Sequence, residues 1–332
     1  MDRAEISIER IRAAVGVLSL VLFTHTAFWF GHDVFDQGIL DVWSIWTTGP
    51  ASGLAATTSL DIGLAALQLA AGFGALMQVR GAGGVLVVAC SATLLFRGPV
   101  VWYWILDSPS DPWFGDLEGP SLTAAGSTCA VIVVVAVAQA VLLFQARQLE
   151  HRAASEQEEV LSDGLRPVKV TAAVSSVLLV LLNVVYILRN VVTAIQVGPG
   201  TLADLLAGKG TGQAVLAVSS PWQWACLTVL CGVGLALVGR RRPTATGFSL
   251  GLAVFMLPTA AFKLCGSVIS GDLLQVPLGT LQSVLELVGS AAVAVLILRD
   301  IHGDGGLTMP RFDRSSPSET TGTVPLPSPS SD

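Results

Sequence analysis

Charge is what this chain lacks. Asp, Glu, Lys and Arg make up 13% of its 332 residues, against roughly a quarter in an ordinary soluble domain. With 52% hydrophobic residues and a mean hydropathy of +0.69, a water-soluble globule would leave large apolar patches exposed. A bilayer solvates such patches and asks only that backbone polar groups be paired within helices. Basic residues are also too few for a nucleic-acid partner: the formal charge is -6, and no basic stripe interleaved with aromatics occurs. The five cysteines, Cys90, Cys129, Cys226, Cys231 and Cys265, all lie in apolar stretches without a C-x-x-C pair or a Cys/His metal spacing. They read as small buried side chains. With four histidines there is no zincin motif and no Ser-His-Asp arrangement. Gly81-Ala82-Gly83-Gly84 lacks the preceding strand and the following Lys-Ser/Thr of a phosphate loop. The sequence therefore offers no catalytic, metal or cofactor set, and the reading is non-enzymatic.

What is present is a succession of long apolar windows. Crossing a hydrocarbon core takes about 20 helical residues. Windows of that length fall near 11–30, 54–78, 84–106, 122–144, 169–192, 214–239, 248–270 and 276–298, with Pro221 interrupting the sixth. The first ends in Ala27-Phe28-Trp29-Phe30 without a small-x-small cleavage site, which predicts an anchor rather than a cleaved leader. The predicted fold class is all-α, a polytopic bundle of about eight spans in the cell membrane, with the lipid bilayer as its first partner.

Orientation follows from Lys and Arg, which are retained in the cytoplasm. Residues 1–12, Arg80, the 145–169 loop, Arg240 to Arg242 and the segment after 298 hold most of the 18 basic residues, whereas Lys209 alone lies on the opposite side. Both termini are therefore expected inside. The opposite loops carry Asp33, Asp36, Asp41, Asp107, Asp111, Asp116 and Glu118 together with Trp43, Trp46 and Trp113. These read as solvated charge and interfacial anchors. Glu150, Glu156, Glu158 and Glu159 beside Arg147 and Arg152 suit a helix extending the fourth span into the cytoplasm. The Gly, Ser, Thr and Pro-rich stretch after Arg299 has too little apolar surface to fold alone.

Four spans, a charged linker and four more suggest two tandem modules: 1–146 and 168–300, joined by 147–167 and followed by a tail at 301–332. Trp43 and Trp46 precede the second span as Trp222 and Trp224 open the sixth, Arg80 and Arg240 to Arg242 follow those spans, and Arg97 and Lys263 precede Asp107 and Asp272 by similar intervals. Eight unrelated spans are the competing account. Arg12 with Gly16, then Asp61-Ile62-Gly63 and Gly72 to Gly74, resemble the DoxX-like four-helix membrane family. That resemblance covers the first two spans and implies a four-helix module with redox-associated or accessory roles. The sixth span departs from it, having no acidic residue where the second has Asp61.

An ionisable residue near the bilayer centre costs about 2.5–3.5 kcal/mol on lenient scales, so each one asks for a reason. At about 1.5 Å per residue, Asp61, Arg97, Lys263 and Glu286 fall roughly 10–15 Å below the outer ends of their spans. Matching depths predict two ion pairs, Asp61–Arg97 and Lys263–Glu286, one per module. The pairs could hold helices in register, or the four residues could form a substrate site in which the cations attract an anionic group and the carboxylates exchange protons. Arg189, close to a span end, reads as snorkelling without a partner. His25 reads as held by helix or interface contacts rather than titrating. Pro99 and Pro258 should each free a carbonyl and bend a helix, and Gly72-Phe73-Gly74 and Gly232-Val233-Gly234 read as packing positions. The functional reading is a permease-like or small-molecule-binding protein, with a non-catalytic accessory subunit of another membrane protein as the alternative.

Overall fold

The computed structural model describes residues 3–48, 55–79, 81–106, 120–156, 169–207, 214–242, 244–271, 273 and 277–303. Arg80, Asp107, Asp111, Trp113, Asp116, Glu118, Lys209, Asp272, residues 157–168 and the tail from 304 lie outside them. The described residues form ten helices: α1 Arg3–Gln37, α2 Ile39–Thr48, α3 Ser59–Leu76, α4 Ala82–Leu106, α5 Pro120–Glu156, α6 Lys169–Val197, α7 Pro199–Ala207, α8 Ser220–Gly239, α9 Thr244–Ser270 and α10 Pro277–Gly303. Eight of these, all but α2 and α7, are long and apolar enough to cross a membrane. The chain is an integral membrane protein with an eight-span helical bundle. Its outer surface agrees: Val131, Val134, Val141 and Phe144 of α5 and Val177, Val184 and Val191 of α6 recur at helical spacing and are exposed, as side chains facing lipid must be.

Packing divides the bundle in two. In the first half α1 touches α3, α3 touches α4, α4 touches α5, and α5 returns to α1; in the second the same circuit runs through α6, α8, α9 and α10. Helix α9 joins the halves by lying against α3 and α4. It comes close because small residues face one another: a Cβ on Gly63 would collide with the Phe255 carbonyl, and one on Gly247 with the carbonyl of Gly81. Helices α4 and α9 continue through Pro99 and Pro258.

The second and sixth spans are shorter than their apolar windows. Helix α3 starts at Ser59, not 54, and α8 at Ser220, not 214. Capping chemistry sets both starts. At α3, Thr58 and Asp61 form a capping box. At α8, Ser219 accepts from the Trp222 N–H, and Pro221 sits in the first turn, where its missing N–H costs nothing. The residues before each cap, Ala55 to Thr57 and Ala214 to Val218, run outside any helix and are buried. Val215 and Leu216 donate N–H bonds to the carbonyls of Ala55 and Ala56 at 3.1 and 3.0 Å. Asp33, buried on α1 rather than solvated in a loop, accepts from the backbone N–H groups of Ala56 and Thr57, both at 2.8 Å, and from the Thr57 hydroxyl. Non-helical backbone at membrane depth requires such partners.

The halves also share their turns. Helix α1 breaks into α2 at Gly38, with φ +86°, and α6 breaks into α7 at Gly198, with φ +87°. Each glycine N–H bonds the carbonyl four residues back at 3.0 Å. After α3 the chain turns through Gln78 at φ 54°, and after α8 through Arg241 at φ 49°. Val79 then donates to Gly74 as Arg242 donates to Leu237.

Candidate functional site

Asp61 and Arg97 meet. The guanidinium Nη2 lies 2.5 Å from the carboxylate, and each residue is 1% exposed. Asp61 occupies the first turn of α3, so its other oxygen is free to accept the Thr58 N–H at 2.6 Å and hydroxyl at 2.9 Å. Arg97 reaches across from α4 and gives Nη1 to the Leu216 carbonyl at 3.3 Å. One arginine thus ties α3 and α4 of the first half to the extended segment of the second. The surrounding core adds neutral polar links: Thr26 to Gln68 at 3.3 Å, Gln68 to Thr93 at 2.9 Å, and Gln139 to Ser19 at 2.7 Å.

Lys263 and Glu286 do not form an ion pair. Glu286, buried on α10, accepts from the Tyr186 hydroxyl of α6 at 2.8 Å and from the Gln282 amide one turn away at 2.7 Å. Equal depth had suggested pairing with α9, but α10 packs against both α6 and α9, and the carboxylate faces α6. Lys263 instead points into a cavity of about 430 Å³ at the end of the bundle where α3, α8 and α10 begin. Arg189 of α6 lines the same cavity and lies over the ring of Trp224, 4.3 Å from its centroid. It is a cation–π contact, not a side chain reaching alone for the headgroups. Asp61, Arg97 and Glu286 are not among the lining residues.

The wall between the cations is polar. It includes the hydroxyls of Ser59, Ser220, Ser267 and Ser283 and the amides of Gln223 and Gln282, with Trp46, Leu60 and Trp224 as apolar patches. Residues 220 and 223 belong to the first turns of α8, and Gly279 and Thr280 to the first turn of α10, so the positive ends of two helices adjoin the space. Among the described residues no carboxylate lines the cavity, and none lies within ion-pair distance of Lys263 or Arg189.

No family model, curated protein or solved structure matches this chain. Its functional reading therefore rests on the geometry.

Sequence reasoning missed Arg189 because its position close to a span end marked it as peripheral, although Trp224 opening the sixth span was a signal for a stacked cation. It missed Asp33 by ending the first span at residue 30, seven short of the helix. His25 departs from its expected satisfaction: both ring nitrogens are buried without a hydrogen-bond partner. Cys90, Cys129, Cys226 and Cys231 are buried and free, and Cys265 is half-buried.

Proposed function

We propose that this membrane protein is a permease-like carrier that holds a small solute in the cavity lined by Arg189 and Lys263. The observation that supports the reading is the cavity's size and position. Small-molecule sites commonly enclose about 300–1,000 Å³, and this one lies where helices of both halves converge. Carriers built from repeated halves place their sites at such junctions, beside helix ends that begin within the membrane. The matched breaks at Gly38 and Gly198, and the matched turns after α3 and α8, support treating the halves as tandem modules. In this reading Lys263 contacts the solute, Arg189 joins it, and Asp61, Arg97 and Glu286 hold the walls.

The test is native mass spectrometry of the full chain extracted in mild detergent. Wild-type protein should retain a small molecule that Ser283→Trp, which fills the cavity, does not, while both elute as monodisperse species. Retention unchanged in the tryptophan variant would place the bound molecule elsewhere and remove the reading.

A further inference from the structure

We infer that the solute carries an oxyanion, a carboxylate or phosphate group on a small organic body, held between Arg189 and Lys263; this rests on the cavity being a solute site. Two cations reach one space from different helices, roughly 10–12 Å inside the ends of α6 and α9 by helix rise. Neither has a hydrogen-bond acceptor or an ion-pair partner among the described residues: the Arg189 guanidinium lies over the Trp224 ring, and both cations line the cavity. Cations at membrane depth normally pair with an acceptor. Glu286, which lies outside the lining and accepts from Tyr186 and Gln282, acts on Arg189 only at longer range, and its single carboxyl offsets at most one of the two positive charges.

The remaining chemistry has the same sign. The hydroxyls of Ser59, Ser220 and Ser283 can donate, whereas that of Ser267 already donates to the Lys263 carbonyl, and the first turns of α8 and α10 add positive dipole ends, the arrangement that receives carboxylates and phosphates. A cation would be repelled by the two positive side chains, and a neutral solute would leave both charges uncompensated. The space exceeds what a bare phosphate fills, and Trp46, Leu60 and Trp224 give an organic body an apolar surface.

Full-length protein in phosphatidylcholine nanodiscs would be titrated with glycerol 3-phosphate, citrate and glycerol while its Tm is followed. The anions should raise Tm saturably and glycerol should not. Arg189→Gln and Lys263→Gln should each weaken the anion response at least tenfold, while Lys263→Arg, which keeps the charge, retains most of it. Repeating the titration in phosphatidylglycerol nanodiscs separates the sources: suppression of the soluble anions' effect there assigns the group to a lipid headgroup, and its persistence to a soluble solute. A saturable response to glycerol but not to the anions, lost in Ser283→Trp, overturns the oxyanion assignment and keeps the site. An anion response unchanged in Ser283→Trp and in both glutamine variants overturns both.

Discussion

Removing one member of the Asp61–Arg97 pair leaves the other charge in a place only 1% exposed. Breaking a buried pair from one side costs about 3–5 kcal/mol, far more than the pair's net worth against an apolar replacement. Arg97→Gln should therefore lower the Tm of detergent-purified protein sharply, and Asp61→Asn should do the same. The double variant Asp61→Asn with Arg97→Gln should lose less than the two single losses added together, because neither charge is then stranded. A single variant that melts with wild type would show that the charges are not isolated from water. This pair was legible from sequence because Asp61 and Arg97 sit on consecutive helices joined by a short turn, where depth nearly determines contact. Lys263 and Glu286 have the same depth match, but a helix residue has an azimuth as well as a height. With three helices meeting at α10, nothing in the linear pattern says that Glu286 turns to Tyr186. Arg189 was hidden for a related reason: its partner ring, Trp224, comes from the helix two elements later.

Among elements, existence was easier to read than boundaries. All eight spans follow from hydropathy, since the bilayer sets their length, and α5 does continue past its span to Glu156 as its charge pattern suggested. What hydropathy could not show is that residues 55–58 and 214–219 lie inside apolar windows without being helical. Their partners, Asp33 and the opposite segment, are distant in sequence. The short helices α2 and α7 were likewise concealed within loops. Gly38 and Gly198 make these breaks, and at positive φ a Cβ costs about 1–2 kcal/mol. Gly38→Ala and Gly198→Ala should each lower stability by that order in thermal melts. Gly232→Ala, at a helical position where a Cβ meets nothing, should be neutral or slightly stabilising. Equal effects at all three positions would mean that the breaks are not fixed by backbone conformation.

At the scale of the molecule, the halves are joined by chain only through residues 157–168, whereas they are joined in space by α9 against α3 and α4 and by the paired segments before α3 and α8. Two polypeptides, 1–160 and 161–332, should therefore assemble when co-expressed, and an affinity tag on one should recover the other from detergent in near-equal amount. Recovery of the tagged piece alone would show that the linker, not the interface, holds the molecule together. The interface has a further consequence for biosynthesis. Arg97 finds one of its acceptors at Leu216, 119 residues later, and the carbonyls of Ala55 and Ala56 wait for the same stretch. While a ribosome is still translating the second half, the inserted first half carries open backbone acceptors and an incompletely coordinated guanidinium within the lipid. Release from the insertion machinery before Leu216 has entered the membrane would strand them, so a stalled or prematurely terminated chain is poorly matched to the bilayer and exposed to membrane quality-control proteases.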